Sequence, residues 1–298
     1  LIAVLLFGKN LQGGQRWLKI GPLQFQPSEL AKFIIVICMA KYMTDHHEDM
    51  PSFVRGLLPM AALLVVPAVL IYFQPNVSML IILCIVFAIM LFIGGADLKY
   101  LSIAALIGGA ALVVLLFAAS YRESRFTAWL DPWGNKSDAG YQIVQSLYAF
   151  GNGGWFGQGL DASRQKLLFL PYRESDFILS IIAEELGFVT VALLIAAYCF
   201  IIYRGIRIAL SVRDRFASLV AAGFSSILAV QVAVNVAVVT NSIPATGQTL
   251  PFISSGGTSL VIFLAGIGVL LNISRYTEPR KSRGESYGKH KNQKQRQQ

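Results

Sequence analysis

An aspartate, Asp176, stands at the mouth of a long apolar run, behind a stretch rich in cations. Arg164, Lys166 and Arg173 precede it closely, and Glu174 is two positions upstream. An ionised carboxylate at a bilayer edge is costly unless it is paired or lines a wet cavity. Together these groups suit a substrate with one end in lipid and one in water. The carboxylate can take a proton, and the cations can offset developing negative charge. With the run after Phe177 helical, Asp176, Ser180 and Glu184 fall at i, i+4 and i+8 on one face. A helix N-terminus there also favours negative charge. Two readings stand for Asp176: a catalytic base, or a plain N-cap shared with Ser175. The membrane depth of Glu184 and Glu185 favours the first, because acids there must be protonated, paired or hydrated.

Other polar groups converge on the same region. The segment GNGGWFGQG, Gly151–Gly159, is rich in glycine, which lets backbone N–H groups approach an anion. It reads either as a pyrophosphate site or as a flexible turn around an interfacial Trp155. Tyr141–Phe150, with Gln142, Gln145 and Ser146 among apolar residues, reads as a short helix in the interface. Arg16-Trp17 leads to QPSELAKF, where Pro27, Ser28 and Glu29 signal a helix start. Glu29 and Lys32 at i, i+3 can pair just inside the membrane, as a site or as a self-neutralised helix end. Gln231 and Asn235 share a helix face and read as helix–helix hydrogen bonding. The charge-free segment Asn241–Gly257, with two prolines, reads as a packed, re-entrant loop over the acid.

These groups need a scaffold, and the composition says which. Only 14% of the 298 residues are charged, and 55% are hydrophobic; ordinary soluble domains carry about 25% charged residues. Mean hydropathy is +0.60. Seven runs are candidate membrane-spanning helices, roughly Ser28–Met43, Leu57–Phe73, Val77–Gly95, Leu101–Ser120, Phe177–Tyr203, Phe216–Asn241 and Gly256–Ile273. Pro59 and Pro67 should kink the second. Leu1–Phe7 reads as the end of a further helix that begins upstream. Cys38, Cys84 and Cys199 lie inside apolar runs without metal-ligand spacing and read as small buried hydrophobes. The fold expected is an all-α polytopic membrane protein: about seven full helices plus an N-terminal partial one, with a large outer loop at 121–176. The membrane unit covers 1–273, and the basic tail 274–298 is expected to be disordered.

Short-loop cations set the orientation. Lys41, Arg55, Lys99, Arg204, Arg207, Arg213 and Arg215 fall on the side of the tail, which is therefore expected in the cytoplasm. The 121–176 loop then faces outside. The net charge of +9 comes largely from the tail. It reads as an anchor to anionic lipid, with no folded module for nucleic acid beside it.

Four blocks, in this order, resemble the SEDS family (shape, elongation, division and sporulation), which includes FtsW, RodA and SpoVE. They are GGQRWLKIGPLQFQPSELAKF, GYQIVQSLYAFGNGGWFGQGL, SRQKLLFLP with ESDFILSIIAEELGF, and ATGQTLPFISSGGTSL. The resemblance leans to the FtsW/SpoVE branch. It implies about ten membrane helices, of which this chain would lack roughly the first two and part of a third. It implies a bacterial cell-membrane glycosyltransferase that polymerises lipid II into peptidoglycan beside a class B penicillin-binding protein. It assigns the essential acid to Asp176, and places Lys166, Arg16, Glu29 and Lys32 around one outward cavity. Arg164, Arg173, Gln145 and Glu184 join them as candidate substrate contacts. A divalent cation is a further candidate to balance the pyrophosphate, although no ligands for it are visible. Three motifs depart from the family pattern, at four positions: Asn76 and Ser78 in QPNVSM, Ser255 in SSGGTS, and Asp161 after Gly159-Leu160. The rival readings are a transporter that flips lipid II and a non-catalytic scaffold for the penicillin-binding protein.

Overall fold

The computed structural model describes residues 1–11, 14–20, 23–117, 120–136, 140–165 and 174–277. The chain runs through α1 (Ile2–Phe7), β1 (Lys9–Leu11), β2 (Gly14–Ile20), β3 (Leu23–Phe25), α2 (Pro27–Asp45), α3 (Leu58–Phe73), α4 (Val77–Gly94) and α5 (Leu98–Phe117). It continues through α6 (Ser120–Leu130), α7 (Tyr141–Gly153), α8 (Ile178–Ser211), α9 (Arg215–Val239) and α10 (Gly257–Ser274). Within the described residues, each of the seven expected apolar runs is helical over most of its length. Among the described residues, five helical stretches are both long and apolar enough to cross a membrane: Phe53–Phe73, α4, α8, α9 and α10. The α2 helix has the length, at 19 residues, but carries Glu29, Lys32, Lys41 and Asp45.

Details of the elements differ from the sequence reading. A small antiparallel sheet, β1-β2-β3, precedes α2 and was not anticipated. Pro59 lies in the first turn of α3, where a missing N–H costs nothing; only Pro67 is interior. The three cysteines are exposed on the bundle's outer faces, not buried. The α7 helix exists as expected and packs on α8 and α9.

The core is built around α9, which packs against α2, α4, α8 and α10. Of its most apolar window, 61% is buried within the chain, against 17% for α8. Small residues allow the close approach. A Cβ on Gly223 of α9 would stand 2.2 Å from a Val36 methyl, and one on Gly266 of α10 would stand 2.9 Å from the Phe33 ring. Phe33 in turn meets Phe224 and Phe263 edge-on, at 4.9 and 5.4 Å between ring centres.

The α8 helix is broken. Gly187 has φ 77° and ψ 177°, outside the helical region. The backbone groups freed by the break bond to the glycine-rich segment. Gln158 N–H and Gly159 N–H donate to the Glu184 and Glu185 carbonyls, both at 3.0 Å, while Phe188 N–H donates to Gly154 O at 2.9 Å. A Cβ at Gly187 would lie 2.3 Å from Gly157 N. Gly187→Ala should therefore lower thermal stability in nanodiscs, by roughly 1–3 kcal/mol from backbone strain alone. Gly268→Ala, where a Cβ meets nothing within 4 Å, should leave the melting temperature unchanged.

Candidate active site

A lysine inside the bundle organises the site. Lys32, on α2, is 1% exposed. Its ammonium pairs with Glu29 at 2.8 Å, donates to Gln231 Oε1 of α9 and lies 4.7 Å over the Phe263 ring. The expected Glu29–Lys32 pair is thus formed, and Gln231 bridges α2 and α9. Gln231 also donates to Thr249 O at 3.2 Å, which extends the network into the 241–257 segment.

One turn further along α9, Asn235 does not bond to a helix. Its amide donates to Gln248 O at 2.7 Å and to Asp176 O at 3.0 Å. The reading of Asn235 as a helix–helix contact is corrected accordingly: it fastens two loops. More bonds close the same seam. Ser255 N–H donates to Glu174 O at 2.7 Å, the Ser254 hydroxyl donates to Ser175 O, and the Tyr198 hydroxyl donates to Pro251 O. The 241–257 segment is packed over the acid, as expected. At Gly247, φ is 68°, and a Cβ there would sit 3.3 Å from Asp176 Oδ2. Glycine leaves room for the carboxylate.

Asp176 itself precedes the helix. The residue flanking α8 is Phe177, with no side-chain cap bond, so neither Asp176 nor Ser175 is the N-cap. Burial raises the Asp176 carboxyl from 3.8 to about 6, against the opposing pull of a Ser175 hydrogen bond and the charges of Arg125 and Arg16. Arg16, on β2, donates to the carbonyls of Gln74 and Pro75 between α3 and α4. Arg125, on α6, donates to Ala245 O at 3.2 Å. Arg125 is not among the candidates named from the sequence. The α6 helix carries it to the site through paired bonds between Trp129 and Asn241, and no local pattern in the sequence announces that contact.

The other candidates are placed differently. Glu184 is 0% exposed. It accepts from the Ser163 hydroxyl, from Gln165 N–H at 3.2 Å and from the Asn152 amide at 3.2 Å. All these partners are its own chain, so Glu184 fastens a loop and does not face an open cavity with Asp176. Ser180 bonds to Ser146 of α7 at 2.6 Å. The expected Asp176–Ser180–Glu184 face is therefore not one polar surface. Gln145 is half-buried on α7, and Arg164 is exposed between buried Ser163 and Gln165. Lys166 and Arg173 lie outside the described residues. Among the described residues, no group of three His, Cys, Asp or Glu is placed to hold a metal ion.

Two of the unusual positions have structural roles. The Asn76 side chain accepts from Met79 N–H and caps α4. The Ser78 hydroxyl donates to Thr246 O, next to Gly247.

The arrangement is a carboxyl poised near neutrality, flanked by two guanidinium groups and covered by a tied loop. Such a group can accept a proton from a hydroxyl while an anion sits at the arginines. Because the network holds it, breaking the buried pair should be costly. Lys32→Met leaves Glu29 buried alone and should destabilise the fold by about 3–5 kcal/mol. Adding Glu29→Gln should recover most of that loss, as read from thermal unfolding in nanodiscs.

The chain matches the model of the FtsW/RodA/SpoVE family of cell cycle proteins over residues 1–279. Stage V sporulation protein E of Bacillus subtilis (strain 168) is 40% identical, over 93% of this chain and 76% of its own length. The probable peptidoglycan glycosyltransferase FtsW of Geobacter sp. (strain M18) is 38% identical, over 92% of this chain and 75% of its own. A chain from a structure on the coordination of polymerization and crosslinking by a peptidoglycan synthase complex superposes with a TM-score of 0.77 at 30% identity, covering 92% of this chain and 77% of that one. The rod shape determining protein RodA of Thermus thermophilus superposes at 0.65 with 28% identity, covering 93% and 76%.

Proposed function

This chain belongs to the FtsW/RodA/SpoVE family of cell cycle proteins, and on that premise we propose that it is a peptidoglycan glycosyltransferase that polymerises lipid II, with Asp176 as the general base. Its five apolar spans and its family make it a membrane protein. The observation that carries the catalytic assignment is the place of Asp176: its backbone held by Asn235, its carboxyl against Gly247 and within reach of the charges of Arg125 and Arg16.

In this reading Asp176 takes the proton of the acceptor sugar hydroxyl. The freed oxygen attacks the anomeric carbon of the donor, and the bond from that carbon to the pyrophosphate breaks. The polyprenyl pyrophosphate leaves with the bonding electrons, and Asp176 returns its proton to water. Arg16 and Arg125 favour the ionised base and stand where they can meet the pyrophosphate charge. Lys166, Arg164 and Arg173 are proposed to serve the same charge from the outer loop, and a bound divalent cation would supply further neutralisation. Gln145 is proposed as a substrate contact on α7. The proposed partner is a class B penicillin-binding protein, which would cross-link the strands made here.

A transporter reading draws on the break in α8, since broken helices often line transport sites. Here the groups freed by the break are bonded to Gly154 and Gln158–Gly159, which leaves them no vacancy for a solute. The enzyme reading is therefore preferred.

The membrane unit is proposed to span 1–273, with the 121–176 loop outside and the 274–298 tail disordered in the cytoplasm. With Cys38, Cys84 and Cys199 replaced, a cysteine at exposed Glu123 should react with an impermeant thiol reagent on intact cells, and one at Gln293 should not. The opposite pattern would put the site in the cytoplasm and defeat the reading.

Purified protein given labelled lipid II should make glycan polymer on a gel. Asp176→Asn should fold and insert but lose activity by roughly 10²–10⁴-fold, the usual contribution of a positioned base. Wild-type-like polymer from that variant would remove Asp176 from the chemistry, and no polymer from the wild type would return weight to the transporter and scaffold readings. The base works ionised, so the rate should climb with pH toward about 6 and level off above it. Arg125 lowers the carboxyl's pKa, so Arg125→Gln should move the midpoint upward.

A further inference from the structure

The glycine-rich segment carries an exposed apolar tip. No residue between Gly140 and Leu160 is charged. Trp155 is 68% exposed, Phe156 83% and Leu160 78%. Their backbone is not loose. Gly154 O and Trp155 O accept from Phe188 N–H and Val189 N–H, at 2.9 and 3.1 Å, and the other arm donates to the Glu184 and Glu185 carbonyls. Gly157 lies so close to α8 that a Cβ there would be 2.1 Å from Glu185 O. The tip is therefore locked at the level of the break.

That level is apolar on the outside too. Trp155 meets the Phe188 ring edge-on, at 5.4 Å between centres. Phe188 and Leu193 continue the exposed surface along α8. Only 17% of the most apolar window of α8 is buried in the chain, which leaves most of this apolar face open to lipid. The tip is continuous with it. Tryptophan favours the boundary between headgroups and acyl chains, where one edge of the ring is wet and the rest is not.

We propose that the Gly154–Leu160 hairpin is a membrane anchor, whose Trp155, Phe156 and Leu160 side chains enter the leaflet beside the break in α8. Its occupant is a lipid surface. The anchor is tied to the active-site side of the molecule through Glu184, which holds Asn152, Ser163 and Gln165 around one buried carboxylate. Residues just beyond the tip, including Arg164, are thereby kept at the height of lipid headgroups. The proposal does not depend on the glycosyltransferase reading.

The test uses the protein with its native cysteines replaced and one cysteine introduced, reconstituted in vesicles of phosphatidylethanolamine and phosphatidylglycerol. A polarity-sensitive nitrobenzoxadiazole label is placed at Phe156→Cys, at Leu160→Cys as an independent site, or at Lys136→Cys as an exposed polar control. At the two tip positions the emission should be blue-shifted. It should be quenched strongly by lipids bearing a shallow nitroxide and little by aqueous iodide, with the reverse order at Lys136→Cys. Iodide quenching at the tip as strong as at the control overturns the proposal, whatever the lipid quencher does. That is also the outcome expected if a protein helix, absent from the vesicles, is the true occupant.

Discussion

A charged lysine buried in a membrane bundle must have partners, and Lys32 takes them from three directions. Glu29 neutralises it from the same helix, Gln231 accepts from across the bundle, and Phe263 offers a ring face. The Coulombic cost of leaving any of these out is large in a medium of low dielectric. The pair therefore fixes how α2, α9 and α10 sit together. Gln231 and Asn235, one turn apart on α9, then pass that order outward to Thr249, Gln248 and Asp176. The catalytic carboxylate proposed here is held through its backbone by Asn235, while a Ser175 hydrogen bond reaches the carboxyl itself.

The loop over Asp176 has two kinds of constraint. Glycine at 247 gives space, and serines at 78, 254 and 255 give hydrogen bonds. Ser78 and Ser255 both belong to this seam. Ser78 bonds to Thr246 O through its hydroxyl, while Ser255 binds Glu174 O through its backbone. Electrostatics follow from the same packing. Partial burial raises the carboxyl, and the two arginines hold it from rising further.

Much of this was legible in the sequence, and the failures have physical causes. Apolar length identified the helices, because a bilayer demands such runs. Spacing identified the Glu29–Lys32 pair, because i, i+3 neighbours meet on any helix. Spacing also put Gln231 and Asn235 on one face, yet it could not say that Asn235 meets loops. The Asp176–Ser180–Glu184 face failed because the helix starts at Ile178, after the acid. Arg125 was missed because its place depends on the docking of α6, a contact between residues far apart in the chain. The glycine-rich segment was read as a phosphate cradle or a free turn. Its Gln158 and Gly159 N–H groups instead bond to carbonyls at the break in α8, and Gly187 in GF carries no local sign of a break. The Cys residues face outward because a bilayer removes the usual penalty on exposed apolar side chains.

In the proposed site, the α9 network holds Asp176 in a desolvated place where its carboxyl is pushed up toward neutrality. Carbon-13 labelling of aspartate, with the Asp176 signal assigned by its loss in Asp176→Asn, allows the carboxyl to be titrated directly in nanodiscs. The wild type should titrate near 6. Asn235→Ala, which frees the Asp176 backbone, should let water in and bring the midpoint down toward the ordinary value of 3.8. A wild-type midpoint already near that ordinary value, or one unchanged by Asn235→Ala in a folded protein, would contradict the account.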